Sequence, residues 1–177
     1  MWNSYNLQII IIFLLFFSCK KYQAPIQNIQ DNTSDSFFVD LNKTIIQKEE
    51  QLIDSIINAS NVPFFRDTTG IRLFMTDPIC ALNCPVDGDY VLLGYNCVIL
   101  NEIDNILDDS LLDTLSFKIG YSKQMKGLNY AIKLLNIGDK AKIIIPSYLG
   151  FGMSGYGKTV PSYSTLLLNV KLLNIKK

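Results

Sequence analysis

The 177-residue sequence contains no histidine. Ser-His-Asp and Cys-His catalysis are thereby excluded, as is any zinc site that needs an imidazole ligand. Net charge is missing too: sixteen Lys and Arg balance sixteen Asp and Glu. Nucleic-acid binding relies on a basic excess to neutralise phosphates, and none exists here. Disorder is excluded from the other side, because 49% of the residues are apolar and only 18% are charged. The length fits one domain with appendages.

Part of that hydrophobicity never joins a core. Leu7 to Phe17 is apolar throughout except for Gln8. A membrane-spanning helix needs about 20 such residues, so the run fits the apolar region of a signal peptide better. Ser18-Cys19-Lys20-Lys21 follows, and it resembles the cleavage box of bacterial lipoproteins, in which the cysteine becomes the lipid-bearing first residue. The segment before the run has no Lys or Arg, and Phe16 and Phe17 are bulky for such a box. The alternative is an uncleaved anchor that uses Lys20 and Lys21 as its stop. The expected organisation is a signal peptide over 1–18, then lipidated Cys19 and a polar tether over 19–36.

With Cys19 acylated, Cys80, Cys84 and Cys97 remain. Cys80-x-x-x-Cys84 is spaced to close a small disulfide loop in an oxidising compartment. Three buried or unpaired thiols are the equal alternative. Three thiols without histidine leave a zinc shell incomplete, so no metal is expected.

Residues 37–62 form an amphipathic extension. Leu41, Ile45, Ile46, Leu52, Ile53, Ile56 and Ile57 recur close to helical spacing, opposite Lys43, Gln47, Lys48, Glu49, Glu50 and Asp54. That stripe must be covered by the main domain or by a second copy through residues 41–57. From residue 63 to 177 the pattern becomes short strands and turns. Strands are predicted over 71–76, 90–100, 114–119, 140–145 and 165–175, with one helix over 125–135 closed by Asn136 and Gly138. In the last strand Leu166, Leu168, Val170 and Leu172 face one way; Leu167, Asn169 and Lys171 face the other. Many strands around one short helix make an antiparallel α+β domain.

Gly150-x-Gly152-x-x-Gly155 matches a dinucleotide fingerprint as a bare pattern. A true fingerprint follows a strand and opens a helix, whereas this loop runs on to Pro161 and a strand. Asp108-Asp109 has no partner cluster that would make it a metal site or a hydrolytic pair, and reads as a solvated turn.

The C-terminal half resembles the FK506-binding-protein type of peptidyl-prolyl cis-trans isomerase. The resemblance rests on Gly127-Leu128, Ile137-Gly138-Asp139-Lys140-Ala141, Ile145-Pro146-Ser147, Leu149-Gly150-Phe151-Gly152, Val160-Pro161 and Ser164-Thr165-Leu166, in that order. It implies an antiparallel sheet wrapped around a short helix, and catalysis without a cofactor. It also implies an apolar pocket. Tyr95 stands on its wall, Leu107-Asp108 falls where the family has Phe-Asp, and Phe151 takes a tyrosine position. Leu115 replaces an aromatic, Gln124 and Met125 lie at the helix start, and the Met125 N–H donates to the substrate carbonyl. Leu128 is the floor, Tyr156 and Val160 line the flap, and Leu168 replaces a phenylalanine.

Proline-containing polypeptides are the implied partners. The tethered helix resembles the lipoprotein subgroup associated with gliding motility in Bacteroidetes-type bacteria, which implies a periplasm-facing envelope location. Leucine at 107, 115, 128 and 168 and phenylalanine at 151 keep the pocket apolar but thin its aromatic lining. A non-catalytic binding or structural module is the alternative.

Overall fold

A computed structural model describes residues 32–76, 78 and 83–177. The expected signal peptide, Cys19, most of the tether and Cys80 lie outside the described residues, and with Cys80 lies the disulfide question. The chain divides after Phe38 into two compact units. The described part of the first holds the opening turns of a helix, where the Phe37 and Phe38 rings meet edge-on at 5.8 Å. The second unit runs from Val39 to Lys177.

The elements follow in the order α1 (Asn32–Ser60), β1 (Phe65–Arg66), β2 (Arg72–Met75), β3 (Tyr90–Ile99), α2 (Ile103–Leu107), β4 (Asp113–Lys118), α3 (Lys126–Ile132), β5 (Lys140–Ile145) and β6 (Leu166–Lys176). Helix α1 opens at Asn32, so it takes in residues 32–36, which composition assigned to the tether. Those polar residues carry no apolar period to betray a helix. Extending an existing helix is nonetheless far cheaper than nucleating one, so the ordered stripe downstream draws them in.

The six strands form one antiparallel sheet in the order β1-β2-β5-β6-β3-β4. Its two faces follow from strand alternation. Leu73, Val91, Leu93, Phe117, Ala141, Ile143, Ile145, Leu166, Leu168, Val170 and Leu172 point inward onto α3, which contributes Leu128, Ala131 and Ile132. This is the sheet wrapped around a short helix that the sequence led us to expect.

The outer face is also covered, which alternation alone does not reveal. Ile53 and Ile56 of α1 pack with Leu100, Ile106, Ile144 and Leu167 in a second apolar cluster. The amphipathic stripe is therefore satisfied in cis at these positions, while Leu41, Ile46 and Leu52 remain exposed. Polar contacts reinforce the docking. Arg72, only 1% exposed, donates to Glu50 at 2.6 Å, to Asp54 at 2.8 Å and to the Gly70 carbonyl at 2.6 Å. Burial alone would raise the Glu50 pKa. The hydrogen bond and charge of Arg72, the Tyr148 hydroxyl and the Arg66 charge outweigh it and hold the carboxyl below its ordinary range.

Candidate active site

The inner apolar cluster gathers most of the expected site residues. Met125, Leu128 and Leu168 are part of it, and Tyr95, Leu115, Phe151 and Val160 pack against it half-buried. Strand alternation sends Tyr95 inward with Val91 and Leu93. Leu115 and Phe117 do the same from β4. Leu168 reaches the cluster from β6, and Leu128 from the first turn of α3. Leu128 and Leu168 are each 1% exposed, so they support the pocket from beneath and present little surface of their own.

Phe151, Tyr156 and Val160 belong to the long excursion between β5 and β6. Phe151 and Tyr156 stack with ring centroids 4.9 Å apart and planes inclined by 26°. Tyr156 and Val160 exchange backbone hydrogen bonds at 2.8 and 3.1 Å. This turn needs a glycine at 155. Its φ is +61°, and a Cβ there would stand 2.3 Å from the Val160 carbonyl oxygen. A depression of about 430 Å³ opens beside Phe151, lined by Gln124, Met125, Tyr148 and Met153 among others. Met125 caps α3. Its carbonyl accepts from the Asn129 N–H and side-chain amide, both at 3.1 Å. Its own N–H meets no backbone acceptor among the described residues. Gln124 is half-buried, its carbonyl accepting from Asn129 at 3.4 Å.

Leu107 and Asp108 are not brought to this face. Leu107 is 61% exposed at the end of α2. The α2 segment is pinned to the outer face instead. The buried Lys142 amine donates to the carbonyls of Ile106 and Asp108 at 2.6 and 2.8 Å and pairs with Asp109. Asn169 also donates to the Asp108 carbonyl at 2.7 Å. Lys142 and Asn169 alternate away from the inner cluster, which fixes the side on which Asp108 lies. The Asp108 carboxylate is fully exposed and accepts from the Ser110 hydroxyl and N–H. Those bonds, hydroxyl first, hold its pKa below the ordinary value.

An acid that the sequence reading passed over stands nearer. Strand pairing sets Asp113 directly opposite Tyr95, two residues before Leu115. Opposed residues of an antiparallel pair share a face, so Asp113 edges the inner side beside Tyr95. The missed signal was the repeat of one dipeptide: Leu-Asp occurs at 107–108 and again at 112–113.

The enclosed thiol of Cys97 packs against the same cluster, and burial pushes its pKa up to about 11. Cys97 is therefore held as a thiol beside the cluster. What the arrangement can provide is an apolar wall with a few polar anchors at its edge, suited to an uncharged group that must leave water.

The chain matches the model of the FKBP-type peptidyl-prolyl cis-trans isomerase family over residues 83–173. It belongs to that family. Among curated proteins, FK506-binding protein 2 of Dictyostelium discoideum is 33% identical over 90 residues, which cover 50% of this chain and 66% of that protein. FK506-binding protein 1 of Kluyveromyces lactis is 29% identical over 107 residues, 59% of this chain and 92% of that one. The human peptidyl-prolyl cis-trans isomerase FKBP10 is 28% identical over 109 residues, 62% of this chain but only 19% of the human protein. The chain thus spans about a fifth of the multi-hundred-residue relative and most of the small one.

Proposed function

We propose that this chain catalyses cis-trans isomerisation of X-Pro bonds in proline-containing polypeptides, on the inner face between Tyr95, Leu115, Met125, Phe151 and Val160. The observation that carries the reading is the gathering of those side chains on one apolar cluster, inside a domain of the isomerase family. Amide resonance sets the barrier to rotation at roughly 18–20 kcal/mol, and uncatalysed X-Pro exchange takes tens to hundreds of seconds. Moving the imide from water into an apolar wall disfavours the charge-separated resonance form and so eases the twist. The Met125 N–H is the anchor for the substrate carbonyl, and Tyr95 with Asp113 supplies the polar edge.

The lipobox-like Ser18-Cys19 supports an envelope location, with the domain held near a membrane and acting on exported chains, as in the gliding-motility lipoproteins. Leu41, Ile46 and Leu52, exposed on α1, leave a surface for a second copy. A binding module without turnover is the second reading, favoured by the missing hydroxyl at Phe151 and the leucines at 115, 128 and 168.

Exchange NMR of a short X-Pro peptide with the full-length chain separates the two. Acceleration that falls at least tenfold in Tyr95→Ala or Asp113→Asn, with Asp108→Ala unaffected, supports the enzyme; tenfold corresponds to about 1.4 kcal/mol of transition-state stabilisation. Peptide binding with exchange at the buffer rate rejects it in favour of the binding module.

A further inference from the structure

The excursion that carries Phe151, Tyr156 and Val160 leaves the sheet at Ser147 and returns at Thr165, and both stems are fastened to one carboxylate on α1. Glu49 Oε1 accepts from the Ser147 N–H at 2.6 Å and from the Thr165 hydroxyl at 2.6 Å, while Oε2 accepts from the Ser147 hydroxyl at 2.8 Å. All three residues are buried. The next residue of the helix takes a further hold: Glu50 accepts from the Tyr148 hydroxyl at 3.0 Å and is itself fixed by Arg72 and Arg66. Tyr148 is seated so closely that a Cβ at Gly70 would stand 2.1 Å from its hydroxyl oxygen. Above the stems the excursion is closed on itself. The Tyr163 N–H donates to the Gly152 carbonyl at 2.8 Å, and Tyr156 is bonded to Val160. A displaced stem therefore carries the Phe151 stack with it.

We propose that α1 is a positioning element for the site, and that Glu49 is a positioning residue that keeps Phe151 and Val160 seated on the inner cluster. The inference rests on the isomerase reading of that site. Helix α1 contributes Ile53 and Ile56 to the outer cluster and no member to the inner one, so its hold on the flap is the set of bonds to the two stems. Short bonds to a carboxylate are among the stronger hydrogen bonds a protein makes. Their loss lowers the fraction of molecules with a seated flap, and apparent affinity falls in proportion to that fraction.

The test is peptide isomerisation by exchange NMR with the full-length chain and its Glu49→Ala and Glu49→Gln variants. If the seated fraction drops to a tenth, KM rises about tenfold with kcat unchanged. Gln retains one acceptor oxygen and should keep KM within about threefold of the parent. A folded Glu49→Ala variant with the parent's KM, or Gln and Ala equally impaired, overturns the proposal. Should Glu49→Ala fail to fold, Ser147→Ala and Thr165→Val each remove one hydroxyl donor. A smaller KM rise in both supports the proposal, and parental values in both refute it. If the parent does not accelerate exchange, the isomerase reading fails separately. Seating is then read from amide hydrogen exchange at Tyr156 and Tyr163: faster exchange in Glu49→Ala, with β3 and β6 unchanged, sustains the clamp, and unchanged rates remove it.

Discussion

Replacing Ile53 by alanine tests whether α1 is part of the domain or an ornament on it. Ile53 is 0% exposed and packs with Ile56, Leu100, Ile106, Ile144 and Leu167. The substitution deletes three carbons, worth about 2.4 kcal/mol at roughly 0.8 kcal/mol per buried methylene. The hole adds to this, because Ile144 and Leu167 are held by strand pairing and cannot close it. The expected loss is about 3–4 kcal/mol, within the usual span for buried Ile to Ala. Leu52 is the internal control: it adjoins Ile53 but is 54% exposed, so Leu52→Ala should cost less than about 0.5 kcal/mol. Urea unfolding of the full-length chain measures both, and the slope with denaturant distinguishes two ways of losing the stability. An unchanged slope with a lower midpoint indicates a cavity in an intact fold. A reduced slope indicates that α1 has left the sheet and less surface remains to be exposed. A loss below about 1 kcal/mol for Ile53→Ala, or equal losses at 52 and 53, would refute the packing of α1 and with it the clamp on the flap.

Four further outcomes follow from the packing and the titrating groups. At Gly127 an added Cβ would meet Ile145 Cγ2 at 2.5 Å; the overpacking cost of about 1–3 kcal/mol should exceed the roughly 1 kcal/mol gained in helix propensity, so Gly127→Ala lowers the melting temperature, and an equal or higher one contradicts the tight contact. Tyr148, raised from an ordinary 10 to about 12 by burial and then by the Glu50 hydrogen bond, contributes stability that is complete below pH 10 and is lost as pH rises through 12; Tyr148→Phe should show a shallower decline of urea midpoint across that window, and identical profiles refute the assignment. Glu50 acts at the other end: its depressed pKa means that stability is lost as pH falls through the folded value, and Glu50→Gln should flatten that acid limb. Iodoacetamide at pH 8 should modify exposed Cys84 well before enclosed Cys97; peptide mass mapping reads the order, and equal rates would contradict the burial of Cys97.

Most of the architecture could be read from local pattern. The alternation through Leu166–Leu172, the stop at Pro146 and the helical period from Met125 each reflect one element's own geometry, and all three survive in the fold. Elements too short to show a period could not be read: β1 has two residues and α2 has five. The burial of Leu167 and Asn169 was hidden for a different reason: Leu167 is covered by a helix more than a hundred residues earlier in the chain, and Asn169 is bonded to the Asp108 carbonyl beyond α2. The site shows the same division. Tyr95, Met125 and Leu168, which the family resemblance singled out, lie on or against the inner cluster. Two Leu-Asp pairs lie five residues apart, and only the pairing of β4 with β3 shows that Asp113 is the one opposite Tyr95. Glu49 gave no signal at all, since its partners are donors 98 and 116 positions away.

The place of β6 in the sheet has a consequence for the order in which this molecule can come into being. β6 lies between β5 and β3, and it alone joins the β1-β2-β5 half to the β3-β4 half. It is also the last of the six strands in chain order. Before Leu166–Lys176 is in place, β5 and β3 have no common partner, and the β3-β4 pair is a two-stranded hairpin of the kind that is marginal in water by itself. Closure of the six-stranded sheet therefore waits on Leu166–Lys176, which supplies the partner edge for β5 and for β3 at once.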